Sequence, residues 1–155
     1  IDAAVSLLLK DSTASVATLA TPILSPDEGI DRSVVKCVID QFHNALYFSR
    51  NWIPGNKKGT YSTHFPYLRH LGLYVYRPHF LLQYGQLPPT PLQQEEDLEQ
   101  LKILEHGYKI KVALCSECPP GVDTPKDIEN IEQWICKKQN ISSLRAASVP
   151  PLAKD

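Results

Sequence analysis

Short β-type runs alternate with helical segments along most of this chain, and that alternation constrains the fold more than any other feature. The β-type runs cover residues 15–23, 34–40, 45–49, 69–77 and 108–114. Helices are predicted at 1–10, 78–85, 90–106 and 124–138. The last two begin with threonine followed by proline, a favourable helix start. Strands that alternate with helices predict an α/β sheet fold.

Two local patterns refine that prediction. The runs 34–40 and 45–49, joined by four residues, are typical of a β-hairpin. The segment 50–66 contains Pro, Gly, Asn, Lys and Ser without a hydrophobic period. We expect a long loop there, of the kind that carries function or is disordered.

The class of protein is narrowed by composition. The chain has 155 residues, 43% of them hydrophobic, with a formal net charge of -1, which fits one globular domain. No stretch approaches the roughly 18 consecutive apolar residues of a membrane span, so we expect a cytoplasmic protein without membrane insertion. All seven glycines are isolated, so neither a P-loop nor a GxGxxG fingerprint is present.

Four cysteines are unevenly distributed, and two of them, Cys115 and Cys118, have CxxC spacing. One such pair supplies half of a zinc site. The pair is compatible with incidental reduced thiols or with a redox protein, and the latter would need an exposed thiol of low pKa.

The charge is segregated along the chain. Residues 41–94 contain no Asp or Glu, although they carry five Lys or Arg and four of the five His. This acid-free block therefore has a formal charge of +5 and the rest of the chain has -6. The block is either a solvated basic surface or a pocket for an anion. Nucleic acid is a less suitable partner, because no aromatic and basic RNA-binding motif accompanies the charges.

Several polar side chains stand where a ligand site could form. His70 and Tyr74 lie on one face of the strand at 69–77 and, at regular strand rise, about 13 Å apart, so they would flank an extended ligand; alternatively His70 is structural. Glu96 and Glu99 interrupt the apolar stripe of the helix at 90–106 and either pair with Lys or Arg or accept hydrogen bonds from sugar hydroxyls. Asp123 precedes a helix start after a strand, a position where ligands and Mg²⁺ bind in open sheets, although an ordinary capping acid fits as well.

In order, these segments resemble the C-terminal part of CMP-KDO synthetase, the 3-deoxy-manno-octulosonate (KDO) cytidylyltransferase family. The matching stretches are VATLATPI, VVKCVID, NALYFSRNWIP, YLRHLGLYVYR, LPPTPLQQEEDLEQLKILEHGYKIKV and GVDTPKDIENIE. The likeness implies a mixed-sheet nucleotide-diphospho-sugar transferase-like fold that lacks the N-terminal nucleotide-binding half. It extends over residues 1–140 as a sugar-binding and dimerisation part, and 141–155 are expected to form a mobile tail.

The resemblance also implies an activity, namely transfer of CMP from CTP to KDO with release of diphosphate, supported by Mg²⁺. It further implies a homodimer and a role in lipopolysaccharide or plant wall polymer synthesis. By the same likeness Asp123 is the catalytic, metal-binding aspartate. The resemblance implies substrate contacts for a set of polar residues: Arg50, Lys57, Arg69, His70, Tyr74, Glu96 and Gln100. The interrupted apolar stripe of the helix at 90–106 adds Glu99 as a further candidate.

Two departures and one absence qualify the resemblance. Lys57 stands where the family usually has an arginine, so it would hold a carboxylate as a point charge. Gln93 replaces the first Glu of the usual PLE element. The family's nucleotide loop and second metal acid would precede Ile1, and we expect the chain alone to be inactive. The alternative is a non-catalytic module that binds a sugar acid or another anion. An in-frame upstream half with a nucleotide loop would favour the enzyme, whereas a native start near Ile1 would favour the module.

Overall fold

The computed structural model describes residues 1–116, 128–129 and 131–136. The chain divides into two compact units, Ile1–Ser116 and Glu117–Asp155. In the second unit, residues 128–129 and 131–136 are helical, within the helix predicted at 124–138. The predicted boundary at 140/141 and the tail beyond it lie outside the described residues. Within the described part of the chain, no helix is long and apolar enough to cross a bilayer.

The first unit is built on a five-stranded mixed sheet of order β3-β2-β4-β1-β5, in which β1 and β5 are parallel and the other pairs antiparallel. An α/β fold with a mixed sheet is therefore confirmed. The elements in chain order are α1 Asp2–Lys10, β1 Val16–Pro22, α2 Pro26–Ile30, β2 Lys36–Ile39, β3 Ala45–Ser49, β4 Leu68–Tyr76, α3 Pro78–Tyr84, α4 Pro91–Glu96, α5 Glu99–Glu105 and β5 Ile110–Leu114.

Both faces of the sheet are buried, because β1 contributes alternate residues to two apolar clusters. Val16 and Ala20 belong to the larger cluster, which includes Phe48 of β3 and residues of α3 and α5. Ala17 and Leu19 belong to the smaller cluster under α1. Helices therefore cover the sheet on both sides, and β1 is an interior strand that is buried on both faces.

All five predicted strands and the β2–β3 hairpin are confirmed within a few residues, and α3 follows β4 as predicted. The short helix α2 was not predicted. Its N-cap is Ser25, whose Oγ accepts a hydrogen bond from the backbone N of Glu28 at 3.3 Å, and Pro26 stands in its first turn. A Ser-Pro-Asp-Glu sequence is a helix-start signal, and it could have predicted α2.

The predicted single helix at 90–106 is wrong. Asp97 adopts a left-handed conformation with φ 53°, so α4 ends at Glu96 and α5 begins at Glu99. The break lets the Leu98 side chain enter the core, where it is 6% exposed. Glu96 and Glu99 therefore belong to different helices and do not share a stripe.

A bulge in β4 changes the strand geometry. Ala20 of β1 lies opposite His70 and Thr18 lies opposite Tyr74, so two steps along β1 match four along β4. The extra residues are Gly72 and Leu73. Because two residues of a strand span only about 7 Å, the bulge draws His70 and Tyr74 together, and their ring centroids are 5.4 Å apart. The regular-strand spacing of about 13 Å is therefore wrong here.

The hairpin turn between β2 and β3 meets the outer edge of β5. The backbone N of Val112 donates to the carbonyl of His43 at 2.9 Å, and Asn44 forms an isolated bridge with Lys111. The Lys111 ammonium lies 2.8 Å from the Phe42 carbonyl and pairs with Asp11 at 2.9 Å. The sheet is thus curled, so that its first and last strands in spatial order come into contact.

Candidate functional site

His70 is a buried, uncharged side chain on the larger apolar face of the sheet. It is 8% exposed, its Nε2 lies 2.8 Å from Thr18 Oγ1, and its ring packs edge-on against Phe48 with centroids 4.8 Å apart. Burial lowers the pKa of His70 to about 4, because a low-polarity environment disfavours the imidazolium. His70 is therefore neutral at physiological pH and does not serve as a cation for an anionic ligand.

Tyr74 connects His70 to helix α5. Its hydroxyl donates a hydrogen bond to Gln100 Oε1 at 3.0 Å, and its ring lies against that of His70. Gln100 is 4% exposed. Burial raises the pKa of Tyr74, so the phenol keeps its proton. We call His70, Tyr74 and Gln100 the polar triad. All three side chains are uncharged and can form hydrogen bonds.

Glu96, the last residue of α4, is anchored to the end of β3. Its carboxylate accepts hydrogen bonds from Ser49 Oγ at 2.6 Å and from the backbone N of Arg50 at 2.9 Å. These are charge-assisted bonds of the stronger kind. A single helix over 90–106 would put Glu96 on an apolar stripe; instead, the helix break directs it to the end of β3.

The Arg50 side chain binds the backbone at the same C-terminal end of α4. Its Nε donates to the carbonyl of Glu96 at 2.9 Å and its Nη2 to that of Asp97 at 3.2 Å. Arg50, Asn51 and Glu96 line a cleft of about 200 Å³ together with Arg32 and Glu95. The guanidinium therefore stabilises the α4 terminus and borders a polar cleft.

The polar triad and the Glu96 anchor are neighbours. Phe48 of β3 touches the ring of His70, and the next residue, Ser49, donates to Glu96. Glu96 and Gln100 stand on either side of the α4–α5 break. The structure thus brings together five of the predicted site residues: Arg50, His70, Tyr74, Glu96 and Gln100.

Glu99 lies apart from this group. It accepts a hydrogen bond from the Tyr84 hydroxyl at 2.9 Å and another from Gln93 Nε2 at 3.2 Å. Burial and the neighbouring Glu99 carboxylate raise the pKa of Tyr84. In this structure Glu99 joins α3 to α4 and α5, which is a structural role.

Two arginines of the acid-free block have intramolecular partners. Arg69 forms an ion pair with Glu28 of α2 at 3.0 Å. Arg77 donates to three backbone carbonyls at and after the end of α1, those of Leu8, Asp11 and Ala14, at 2.7–2.9 Å. These two cationic side chains therefore bind groups within the protein. The five basic residues of the acid-free block do not converge on one anion pocket.

Lys57 is an exposed residue of the long loop, in the segment 56–64. That segment surrounds a shallow cavity of about 470 Å³ lined also by Lys58 and His64. Tyr61 ties the loop to an aromatic cluster, with its ring 4.9 Å from Trp52 and 5.0 Å from Tyr67. Lys57 thus lines a cavity other than the cleft beside Arg50.

Three functional or supporting residues escaped the sequence analysis: Thr18, Ser49 and Lys36. Lys36 is fully buried, and its ammonium donates to the carbonyls of Asp31, Val34 and Arg50 at 2.6–2.8 Å. Burial lowers the pKa of Lys36. A lysine at the start of a β-type run gives no sequence signal for such a role, since it is ordinarily a solvated edge residue.

Asp123 and Cys118 lie outside the described residues. Cys115 is a free, half-buried thiol. Within the described ranges, no cluster of three or more His, Cys, Asp or Glu is arranged to hold a metal ion. The metal role predicted for Asp123 therefore stays a prediction, and so does the choice between reduced thiols and a redox pair.

Comparison with known proteins identifies consistent relatives. A family model described as cytidylyltransferase matches residues 1–110. The 3-deoxy-manno-octulosonate cytidylyltransferase of Protochlamydia amoebophila (strain UWE25) is 55% identical over 138 residues, which cover 89% of this chain and 53% of that protein. The mitochondrial enzyme of the same name from Arabidopsis thaliana is 49% identical over 128 residues, covering 83% of this chain and 44% of that one.

A solved structure gives the same result. The structure of CMP:2-keto-3-deoxy-manno-octonic acid synthetase complexed with CTP matches with a TM-score of 0.78 and 35% identity, and the match covers 87% of this chain and 54% of that one. The chain therefore spans about half the length of the curated relatives it matches.

Proposed function

The chain belongs to the cytidylyltransferase family, and from that premise we propose that it forms the sugar-binding part of an enzyme that transfers CMP from CTP to KDO and releases diphosphate. The observation that carries the proposal is the polar triad of His70, Tyr74 and Gln100 beside the anchored Glu96. Uncharged, buried hydrogen-bonding groups beside one fixed carboxylate suit a ligand rich in hydroxyl groups.

In the proposed reaction the anomeric hydroxyl of KDO attacks the α-phosphate of CTP. The triad and Glu96 hold the sugar through its hydroxyls, so that their contribution is orientation of the nucleophile. Lys57 is proposed to meet the sugar carboxylate as a point charge, and Arg50 is proposed to hold Glu96 in place beside the sugar. Arg69, which is paired with Glu28, is proposed to support the strand next to His70.

Mg²⁺ is part of the proposal, with Asp123 as one ligand, and when bound it would neutralise charge that develops on the phosphates. Asp123 lies outside the described residues, so no geometry is derived for it. A homodimer and a cytoplasmic location are also proposed, on the basis of the family resemblance alone.

Binding of KDO to the 155-residue chain tests the sugar-binding role, measured by isothermal titration calorimetry. Tyr74→Phe removes the hydroxyl that orders Gln100 and keeps the ring, and we expect Kd to rise roughly five- to tenfold, the usual effect of one lost hydrogen bond. Tyr76→Phe is the matched control, because Tyr76 lies on the same strand face but its hydroxyl makes no bond to Gln100. Equal effects of the two substitutions, or no KDO binding at all, would refute the role.

Activity is tested separately, by assaying CMP-KDO formation from CTP, KDO and Mg²⁺. We expect the 155-residue chain to bind KDO without forming CMP-KDO, and formation of product by this chain would contradict that division. The intact mass of the native protein distinguishes the enzyme from the alternative binding module. A mass well above about 17 kDa supports the enzyme, and a mass at that value supports the module.

A further inference from the structure

Thr18 occupies the bulge of β4 and has one proton to share among three neighbours. Its Oγ1 lies 2.8 Å from the carbonyl oxygen of Leu73, 3.2 Å from that of Leu71 and 2.8 Å from His70 Nε2. Carbonyl oxygens only accept hydrogen bonds. The Thr18 proton must therefore point to the bulge carbonyls, because otherwise two oxygen lone pairs would face each other at 2.8 Å.

The direction of the Thr18 proton decides the tautomer of His70. Since the Thr18 hydroxyl donates to the bulge, its oxygen can only accept from His70, and Nε2 must carry the imidazole proton. The neutral ring has one N–H, so Nδ1 holds a lone pair. Among the described residues no hydrogen bond reaches Nδ1.

We propose that Thr18 fixes His70 as the Nε2–H tautomer, so that Nδ1 acts as a hydrogen-bond acceptor that selects a ligand hydroxyl over a carboxylate or phosphate oxygen. Thr18 is then a positioning residue, and His70 is the specificity-determining group. The identity of the ligand rests on the proposed function. The acceptor character of Nδ1 rests on the geometry of the bulge alone. An anionic oxygen at Nδ1 would meet a lone pair, and a hydroxyl would meet an acceptor.

The burial of His70 supports the same polarity. The ring is 8% exposed and packs between Phe48 and Tyr74, so the second proton that would turn Nδ1 into a donor is disfavoured. Tyr74 contributes a neutral phenol whose proton is committed to Gln100. The Glu96 carboxylate already accepts hydrogen bonds from Ser49 Oγ and from the backbone N of Arg50.

The tautomer can be measured without any ligand. Long-range ¹H–¹⁵N correlation spectra of the ¹⁵N-labelled 155-residue chain at pH 7 distinguish a protonated from an unprotonated ring nitrogen, and His70→Gln identifies the resonances of His70. We expect Nε2 to be the protonated nitrogen, with the Nε2–H form in at least roughly tenfold excess, as one buried hydrogen bond requires. A predominant Nδ1–H form, or an imidazolium at pH 7, would overturn the proposal.

Substitutions then test whether Thr18 is the cause. Thr18→Ser keeps the hydroxyl and should retain the Nε2–H form, whereas Thr18→Val keeps the shape, removes the acceptor and should abolish the tenfold excess. Thr21→Val is the control, because Thr21 is a buried threonine of the same strand that makes no bond to His70. Retention of the wild-type tautomer ratio in Thr18→Val would show that Thr18 does not set it.

Ligand selectivity is examined with two probes on the same spectra. We expect KDO to shift the Nδ1 resonance and inorganic sulfate to leave it unchanged, since sulfate at neutral pH carries no proton and offers acceptor oxygens only. A sulfate-induced shift of Nδ1 would overturn the selectivity. A chain that shows the Nε2–H tautomer and does not bind KDO would contradict the proposed function and leave the tautomer assignment standing.

Discussion

Acidification should destabilise this protein well before its carboxylates titrate, because His70 is buried in its neutral form. Its pKa is about 4 in the folded chain against 6.5 for an ordinary histidine. Between those values the unfolded chain binds a proton that the folded chain does not, so the free energy of unfolding falls as the pH falls. Above pH 6.5 the contribution is fully present, and below about 4 it is fully lost.

The size of the effect follows from the shift. A displacement from 6.5 to about 4 amounts to about 3 kcal/mol in total, of which about 2 kcal/mol is lost between pH 7 and pH 5. Since His70 is 8% exposed, solvent screening reduces this value little. Urea denaturation at pH 7, 6 and 5 gives the unfolding free energy at each pH.

The comparison variant is His70→Gln, whose amide can still donate to Thr18 and does not titrate. We expect the wild-type free energy of unfolding to fall by about 2 kcal/mol more than that of His70→Gln between pH 7 and 5. His79→Gln, at an exposed histidine of α3, should behave like wild type. Parallel pH profiles for wild type and His70→Gln would refute the reasoning and show that His70 is accessible to protons in the folded state.

Two further predictions concern the supports of the site. Phe48→Ala should lower the free energy of unfolding by about 3–5 kcal/mol, because Phe48 is fully buried against His70. Leu46→Ala, at a 60% exposed position of the same strand, should change the free energy of unfolding by less than about 1 kcal/mol. Urea denaturation measures both variants. Lys36→Met should cost about 2–4 kcal/mol, because it leaves three backbone carbonyls without the ammonium donor. The exposed control Lys58→Met should change stability by about 0.5 kcal/mol or less. Equal losses in the two variants by thermal unfolding would contradict the role of Lys36.

The strands and the hairpin could be predicted because their signals are local. Alternating apolar residues, a turn between two β-type runs and proline after a helix cap each act within about ten residues. The helix break at Asp97 has no such signal. It arises because the core takes up Leu98 and β3 binds Glu96, and these tertiary contacts outweigh the tendency of a capped, leucine-rich segment to continue as a helix.

In the candidate site, too, the residues could be predicted from the sequence, through the family resemblance, but their tertiary contacts could not. The 5.4 Å between the rings of His70 and Tyr74 depends on two bulge residues that a regular strand does not contain. Likewise, the acid-free block predicted either a solvated basic surface or an anion pocket, whereas Arg77 is bound by backbone carbonyls and Arg69 by Glu28. Those partners lie far away in the sequence.

The interior position of β1 in the sheet has a consequence for biosynthesis. β1 leaves the ribosome well before β5, yet one of its edges pairs with β4 and the other with β5, where Val16 lies opposite Ile110. A nascent chain that has reached α5 therefore still presents the unpaired amides and carbonyls of a buried, apolar strand. Such an edge readily pairs with other chains. Release of β5 is thus the step that protects the newly made chain from aggregation, and synthesis that stalls before residue 114 should leave a product that depends on chaperones.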